Sequence, residues 1–149
     1  MRNLCVAILA RVPYGSAMAD RTPRWISRAA IGMGSFVTLA GIAHFTNPKF
    51  FDDIVPPWLP PSERFWTHAS GVAELIIGPS LLWRPSRRKA ALAAIALFVA
   101  VYPANLYMAW DWRDRPWREQ IVAYVRLPFQ FVFIWLAWRI HRAEASNRT

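Results

Sequence analysis

Four apolar segments, each close to the length a helix needs to cross a bilayer, leave this chain little choice of fold. They cover residues 25–46, 66–83, 90–110 and 121–138, against a spanning requirement of about 20 residues. The second and fourth are short and each holds a proline, Pro79 and Pro128. A proline is tolerated in such a helix because neighbouring helices can satisfy the freed backbone groups. Within 149 residues, 55% hydrophobic and carrying nine Trp and nine Phe, a soluble domain has too little interior to hide this much apolar surface. Trp25, Trp66, Trp83, Trp110, Trp112, Trp117 and Trp138 fall at or near segment ends, as an interfacial aromatic belt requires. The expected fold is an all-α membrane protein, a bundle of four transmembrane helices.

Charge sets the expected orientation. The regions before and after the bundle, with the turn at 84–89 and Arg28 at the start of the first segment, hold twelve Lys/Arg and two acids, Asp20 and Glu144. The other two loops hold five Lys/Arg and six acids. The positive-inside rule then puts the N-terminus, the C-terminus and the middle turn in the cytoplasm, with the protein in the inner membrane. The net charge of +9 anchors that cytoplasmic rim. Nucleic acid is not an expected partner, since no soluble fold with a basic face is visible.

The chain reads as one membrane domain, residues 21–142, between an N-terminal extension at 1–20 and a cytoplasmic tail at 143–149. The extension is expected to lack structure. Met18 precedes a basic stretch and is a second candidate start. Cys5 is the only cysteine, so neither an intramolecular disulfide nor a CxxC redox pair can form. In the first of the other loops, Phe50, Phe51, Ile54 and Val55 are spaced like one face of a short interfacial helix. The run 56–61 that follows, Pro-Pro-Trp-Leu-Pro-Pro, is too proline-rich to be helical. Two readings stand for this loop, a stiff lid across the mouth of the bundle and a connector resting on lipid headgroups.

Inside the apolar segments, ionisable residues are the signal. Glu74 lies about 12 Å into the second helix and Arg126 about 7–8 Å into the fourth, at 1.5 Å per residue. Such groups are costly in lipid, roughly 2.5–3.5 kcal/mol for Arg at a helix centre. Asn105 on helix three and His44 on helix one fall at similar depth, and Gln130 follows Arg126 by one turn. All belong to the outer half of the membrane. Thr67, Ser70, Gly71, Glu74 and Gly78 form an inward stripe on helix two, and Gly34, Thr38 and Gly41 offer similar close contact on helix one. His68 lies off the stripe. Glu74 and Arg126 can be a structural pair fixing helix register, a ligand or proton site, or, for Arg126, a chain snorkelling to the surface. Asn105 reads as an interhelical hydrogen-bonding group or a ligand contact, His44 as a helix-end histidine or a proton carrier. His44 and Glu74 alone are too few for a metal, so no metal site is expected.

The stretches Gly41-Ile42-Ala43-His44-Phe45, Val55-Pro56-Pro57-Trp58-Leu59-Pro60 and Ser70-Gly71-Val72-Ala73-Glu74 resemble DoxX-like membrane proteins. So do Tyr102-Pro103-Ala104-Asn105 with the residues to Ala109, and Arg126-Leu127-Pro128-Phe129-Gln130. The resemblance implies a compact four-helix bundle. It also implies roles as varied as thiosulfate:quinone oxidoreduction, membrane complexes handling oxidative stress, and assembly of receptor subunits; fold carries over better than activity. One redox mechanism fits the residues. A quinone entering from the lipid would stack on Tyr102 or Trp66 and hydrogen-bond Asn105 or Arg126, with Glu74 carrying its proton. The competing class is a non-catalytic assembly or scaffold protein. There the polar cluster is structural and a membrane-protein partner, or a second copy of the chain, docks on the bundle. Whether the chain is an enzyme stays open between these readings.

Overall fold

The computed structural model describes residues 22–146. The N-terminal extension, with Cys5 and Met18, lies outside the described residues. Among the described residues all regular structure is helical: α1 (Arg24–Thr46), α2 (Pro48–Asp52), α3 (Glu63–Leu82), α4 (Arg84–Asp111) with a 3-10 turn at Trp112–Asp114, and α5 (Trp117–Ser146). Three runs, Arg24–Thr46, Arg84–Asp114 and Trp117–Ser146, are long and apolar enough to cross a membrane.

Local chemistry places the breaks. Pro48 opens α2 at a position where its missing N–H costs nothing. Ser62 caps α3 by accepting the Phe65 amide at 3.2 Å, and Glu63 complements the positive end of the helix dipole. A single extended residue, Trp83, joins α3 to α4, with Pro85 in the first turn of α4. The basic run 84–89 is therefore helix and not a turn. Likewise α5 begins at Trp117 and continues to Ser146, so the helix runs on into the segment after 142. Hydropathy marks only the part of a helix that suits lipid, whereas its hydrogen-bond ladder runs on through charged ends.

The helices pack as α1 on α3, α3 on α4 and α4 on α5, with a lighter meeting of α1 and α5. The α1–α3 contact is backbone-close. A Cβ on Gly78 would sit 2.3 Å from Thr38 Oγ1 and 2.7 Å from Thr38 N, and one on Gly71 would sit 2.7 Å from His44 Cβ. The small-residue stripes on these two helices are thus the contact itself, the usual solution where no water drives helices together. The same stripe places small and polar residues of α3, among them Thr67, Gly71 and Gly78, against α1 and the interior rather than toward lipid.

Two apolar clusters fill the interior. One, toward the chain termini, is built on Ile26, Met33, Val37, Leu81, Ala94 and Ile140. The other, toward the 47–62 loop, is built on Ile54, Met108, Trp112 and Ala123. Outward positions are also apolar: Leu39 is 65% exposed and Ile76 63%. Arginines stack over tryptophans at both ends of the bundle, Arg115 on Trp112 and Arg113 on Trp110 at the loop end, Arg139 on Trp25 and Arg142 on Trp138 at the other. Amphipathic rings and charged heads at two levels are the pattern of a membrane interface.

Candidate functional site

Between the two apolar clusters lies a cavity of about 580 Å³. Its walls are phenylalanines: Phe36 from α1, Phe50 and Phe51 from α2, Phe98 from α4, and Phe129 and Phe133 from α5. His44, Glu74, Asn105, Arg126 and Gln130 line it as well, so all five polar residues singled out in the sequence meet around one space. On α5 the residues Val125, Arg126, Phe129, Gln130 and Phe133 recur at helical spacing and form one face. That periodicity is the signal by which the aromatic wall could have been found.

The cavity opens sideways. Phe36 and Phe129, both lining it, are 52% and 54% exposed, and they flank the gap between α1 and α5. Below, Phe36 and Phe133 stack at 5.1 Å between centroids and close that gap. Above, α2 covers the site: Phe51 stacks on the His44 ring at 3.7 Å. α2 is held over the cavity by Arg64 of α3, whose guanidinium lies 2.7 Å from the Asp52 carboxylate of α2.

The polar groups are not wired as a simple pair. Of the readings left open for Glu74 and Arg126, a direct bridge is not seen: among the described residues no ion pair joins the two. Glu74 Oε2 instead lies 3.1 Å from His44 Nδ1, both side chains being largely buried. His44 Nδ1 also lies 2.8 Å from the Ala40 carbonyl. Both neighbours of Nδ1 are acceptors, so the neutral ring carries its proton there. The close α1–α3 contact at Gly71 seats His44 against Glu74.

Arg126 is held from the other side. Its Nε donates to Asn105 Oδ1 at 3.2 Å, Asn105 Nδ2 donates to Gln130 Oε1, and Gln130 Nε2 donates to the Phe98 carbonyl. Pro103 interrupts α4 just beyond Phe98, removing the helical donor for the Val99 carbonyl and loosening the ladder there. This chain leaves the Arg126 Nη groups without an acceptor among the described residues. Arg126 and Glu74 therefore face one cavity with opposite charge, each tethered to a third residue.

Two expected contacts are elsewhere. Tyr102 packs edge-on against Phe131 at 5.4 Å and does not line the cavity. Trp66 donates from Nε1 to the Pro60 carbonyl at 2.9 Å and borders a smaller space, about 80 Å³, on the far side of Glu74. The rings that line the larger cavity are phenylalanines, and the helical phase of α4 turns Tyr102 away from the Asn105 face.

A buried pair that the sequence reading assigned to the basic rim also emerges. Arg87, 2% exposed, donates to the Leu81 carbonyl at 2.8 Å and the Leu82 carbonyl at 3.2 Å, and pairs with Glu144 at 3.2 Å. It caps the C-terminus of α3 while tying α4 to the end of α5.

A family model described as a domain of unknown function (DUF8561) matches residues 33–141. The chain belongs to this family. The matched span runs from Met33 to His141 and so contains the cavity, the lid and all five polar residues of the site. No curated protein and no solved structure matches the chain.

Proposed function

We propose that this member of the DUF8561 family is a four-span protein of the inner membrane that binds a quinone headgroup in the outer half of its bundle. It would serve there as the membrane subunit of a quinone-linked oxidoreductase or oxidative-stress complex. The observation that carries the reading is the unpaired confrontation of Arg126 with Glu74 across a phenylalanine-walled cavity that opens sideways. An anion in this space would meet Glu74 and a cation would meet Arg126. A neutral, flat, apolar molecule with carbonyl acceptors suits both sides. The lateral mouth between α1 and α5 suits a ligand that arrives through lipid, and about 580 Å³ lies within the usual range of roughly 300–1,000 Å³ for small-molecule pockets.

The role of each residue follows from its contacts. Arg126 offers its Nη donors to a carbonyl oxygen, and Asn105 holds the guanidinium in place through Nε. Gln130 fixes Asn105. The Glu74–His44 pair can hold or release a proton beside the same space. A bound quinone supplies two-electron, two-proton carbonyl chemistry, with electrons delivered by a partner redox subunit. In this reading α3 is the fourth crossing, its 20 residues packed along α1. Both termini are cytoplasmic, in line with the excess of Lys/Arg at that end. The DoxX-like resemblance is compatible with the same role.

A second reading, an assembly or scaffold protein, is favoured by the Asn105–Gln130–Phe98 chain, which binds α4 to α5 as purely structural hydrogen bonds would. Mass spectrometry of the gently solubilised protein separates the two. A stoichiometric quinone is expected, with affinity reduced about tenfold or more in Arg126→Gln, the worth of a charged hydrogen bond. Tyr102→Phe, outside the cavity, should leave it unchanged. A stoichiometric protein partner with no small molecule would establish the scaffold instead.

A further inference from the structure

We infer that the smaller cavity beside Glu74 holds a short water chain and forms the proton route between Glu74 and the aqueous face at the 47–62 loop. This deepens the reading of Glu74 as a proton-handling group and rests on it. The cavity of about 80 Å³ is bordered by Thr67, Ser70 and Glu74 of α3, by His44 and Asn105, and by Val55 under the loop. A water needs about 10–15 Å³ on such a measure and two to four polar partners. The partners are present. Thr67 Oγ1 and Glu74 Oε2 are both buried without a hydrogen bond of good geometry, Oε2 having only the His44 ring at 3.1 Å beside it, and Thr67 is only 2% exposed.

Their spacing sets a direction. Thr67, Ser70 and Glu74 stand at i, i+3 and i+7 on one face of α3, which spans about 10 Å along the axis. Two or three waters bridge that length once the side chains reach toward one another. At the outer end, the Thr67 hydroxyl lies beside the Asp52 carboxyl and helps to hold its pKa down, without reaching full hydrogen-bond geometry to it. Asp52 is 18% exposed and is fixed by Arg64, so it presents an acceptor to solvent. The charged or titratable groups that face Glu74 are His44 of α1 and Arg126 of α5, while α4 contributes the neutral Asn105 and α2 holds Asp52 at the far end of the route. The transfer itself is a proton moving from the outer water through the chain to a Glu74 carboxylate oxygen, and back.

The test uses the full chain in quinone-free vesicles of one orientation, with infrared detection of the Glu74 carboxyl band, identified by its loss in Glu74→Gln. After a pH jump on the loop side the band should respond promptly. Thr67→Val, the same shape without the hydroxyl, should slow that response at least tenfold; Ser70→Ala should slow it less, and Thr67→Ser should restore it. The route is overturned if Thr67→Val responds as fast as the parent, if Thr67→Ser stays slow, or if the band ignores the loop-side jump. Since no quinone is present, a rapid Thr67-dependent response alongside failed quinone co-purification would sink the quinone reading and leave the route standing.

Discussion

Glu74 and Arg126 show how a buried charge is kept when its natural counter-charge stands across a cavity. His44 lies against the Glu74 carboxyl group and Asn105 accepts from the guanidinium, so each group is held in place by a residue other than its opposite. Both were legible in the sequence, because an ionisable residue inside an apolar run is rarely idle. Their partners were legible only as residues of similar depth. The lid shows the same residue-scale logic at the surface. Burial works to raise the Asp52 carboxyl above its ordinary 3.8, but the hydrogen bond and charge of Arg64 outweigh it and hold the pKa lower. A depressed carboxylate stabilises the fold above its unfolded pKa and loses that contribution as pH falls through the folded value. The lid should stay shut at neutral pH and loosen only below 3.8. Asp52→Asn should reproduce the acid state at pH 7, read as faster amide exchange over residues 48–55.

At the scale of elements, the α1–α3 seam and the Arg87–Glu144 clamp both tie helices together, and they differ in how visible they were. The α1–α3 seam is written in small residues at three- and four-residue spacing, so its existence follows from sequence. Its closeness does not. With Thr38 Oγ1 2.3 Å from a Cβ on residue 78, Gly78→Ala should destabilise the bundle by about 1–3 kcal/mol, the range for overpacking, measured by thermal or denaturant unfolding in detergent. It should also loosen the His44–Glu74 contact, and with it the site. The Arg87–Glu144 clamp was hidden, since residues 57 apart in sequence give no local sign of meeting. Removing one partner of such a buried pair costs about 3–5 kcal/mol. Arg87→Met should therefore be severely destabilising, and adding Glu144→Leu should recover much of the loss.

Across the whole molecule, exposed apolar side chains between two levels of stacked Arg and Trp describe a body solvated by lipid in its middle and water at its ends. Among the described residues three helices meet the length and apolarity of a span by themselves; α3 falls short because its polar and small residues face α1 and the cavity. Counting α3 as a crossing makes a specific prediction. Reporters fused after Thr149 and within the 47–62 loop should face opposite sides of the membrane, with the C-terminal reporter in the cytoplasm. Three crossings would instead change which regions share a side and would revise the depth assigned to the site.

By itself the sequence determined that the chain is helical, where its long apolar runs lie, and which polar residues are too costly to bury without a task. Those features depend on composition and on periodicity along one helix, which any linear reading contains. Tertiary structure alone decided that Glu74 pairs with His44 and Arg126 with Asn105, and that phenylalanines rather than Tyr102 wall the cavity. It also decided that Phe51 closes over it. Each of these depends on the rotation and separation of neighbouring helices, where a shift of one residue turns a side chain by about 100°. That phase is set by packing between glycines, threonines and aromatic rings on different helices.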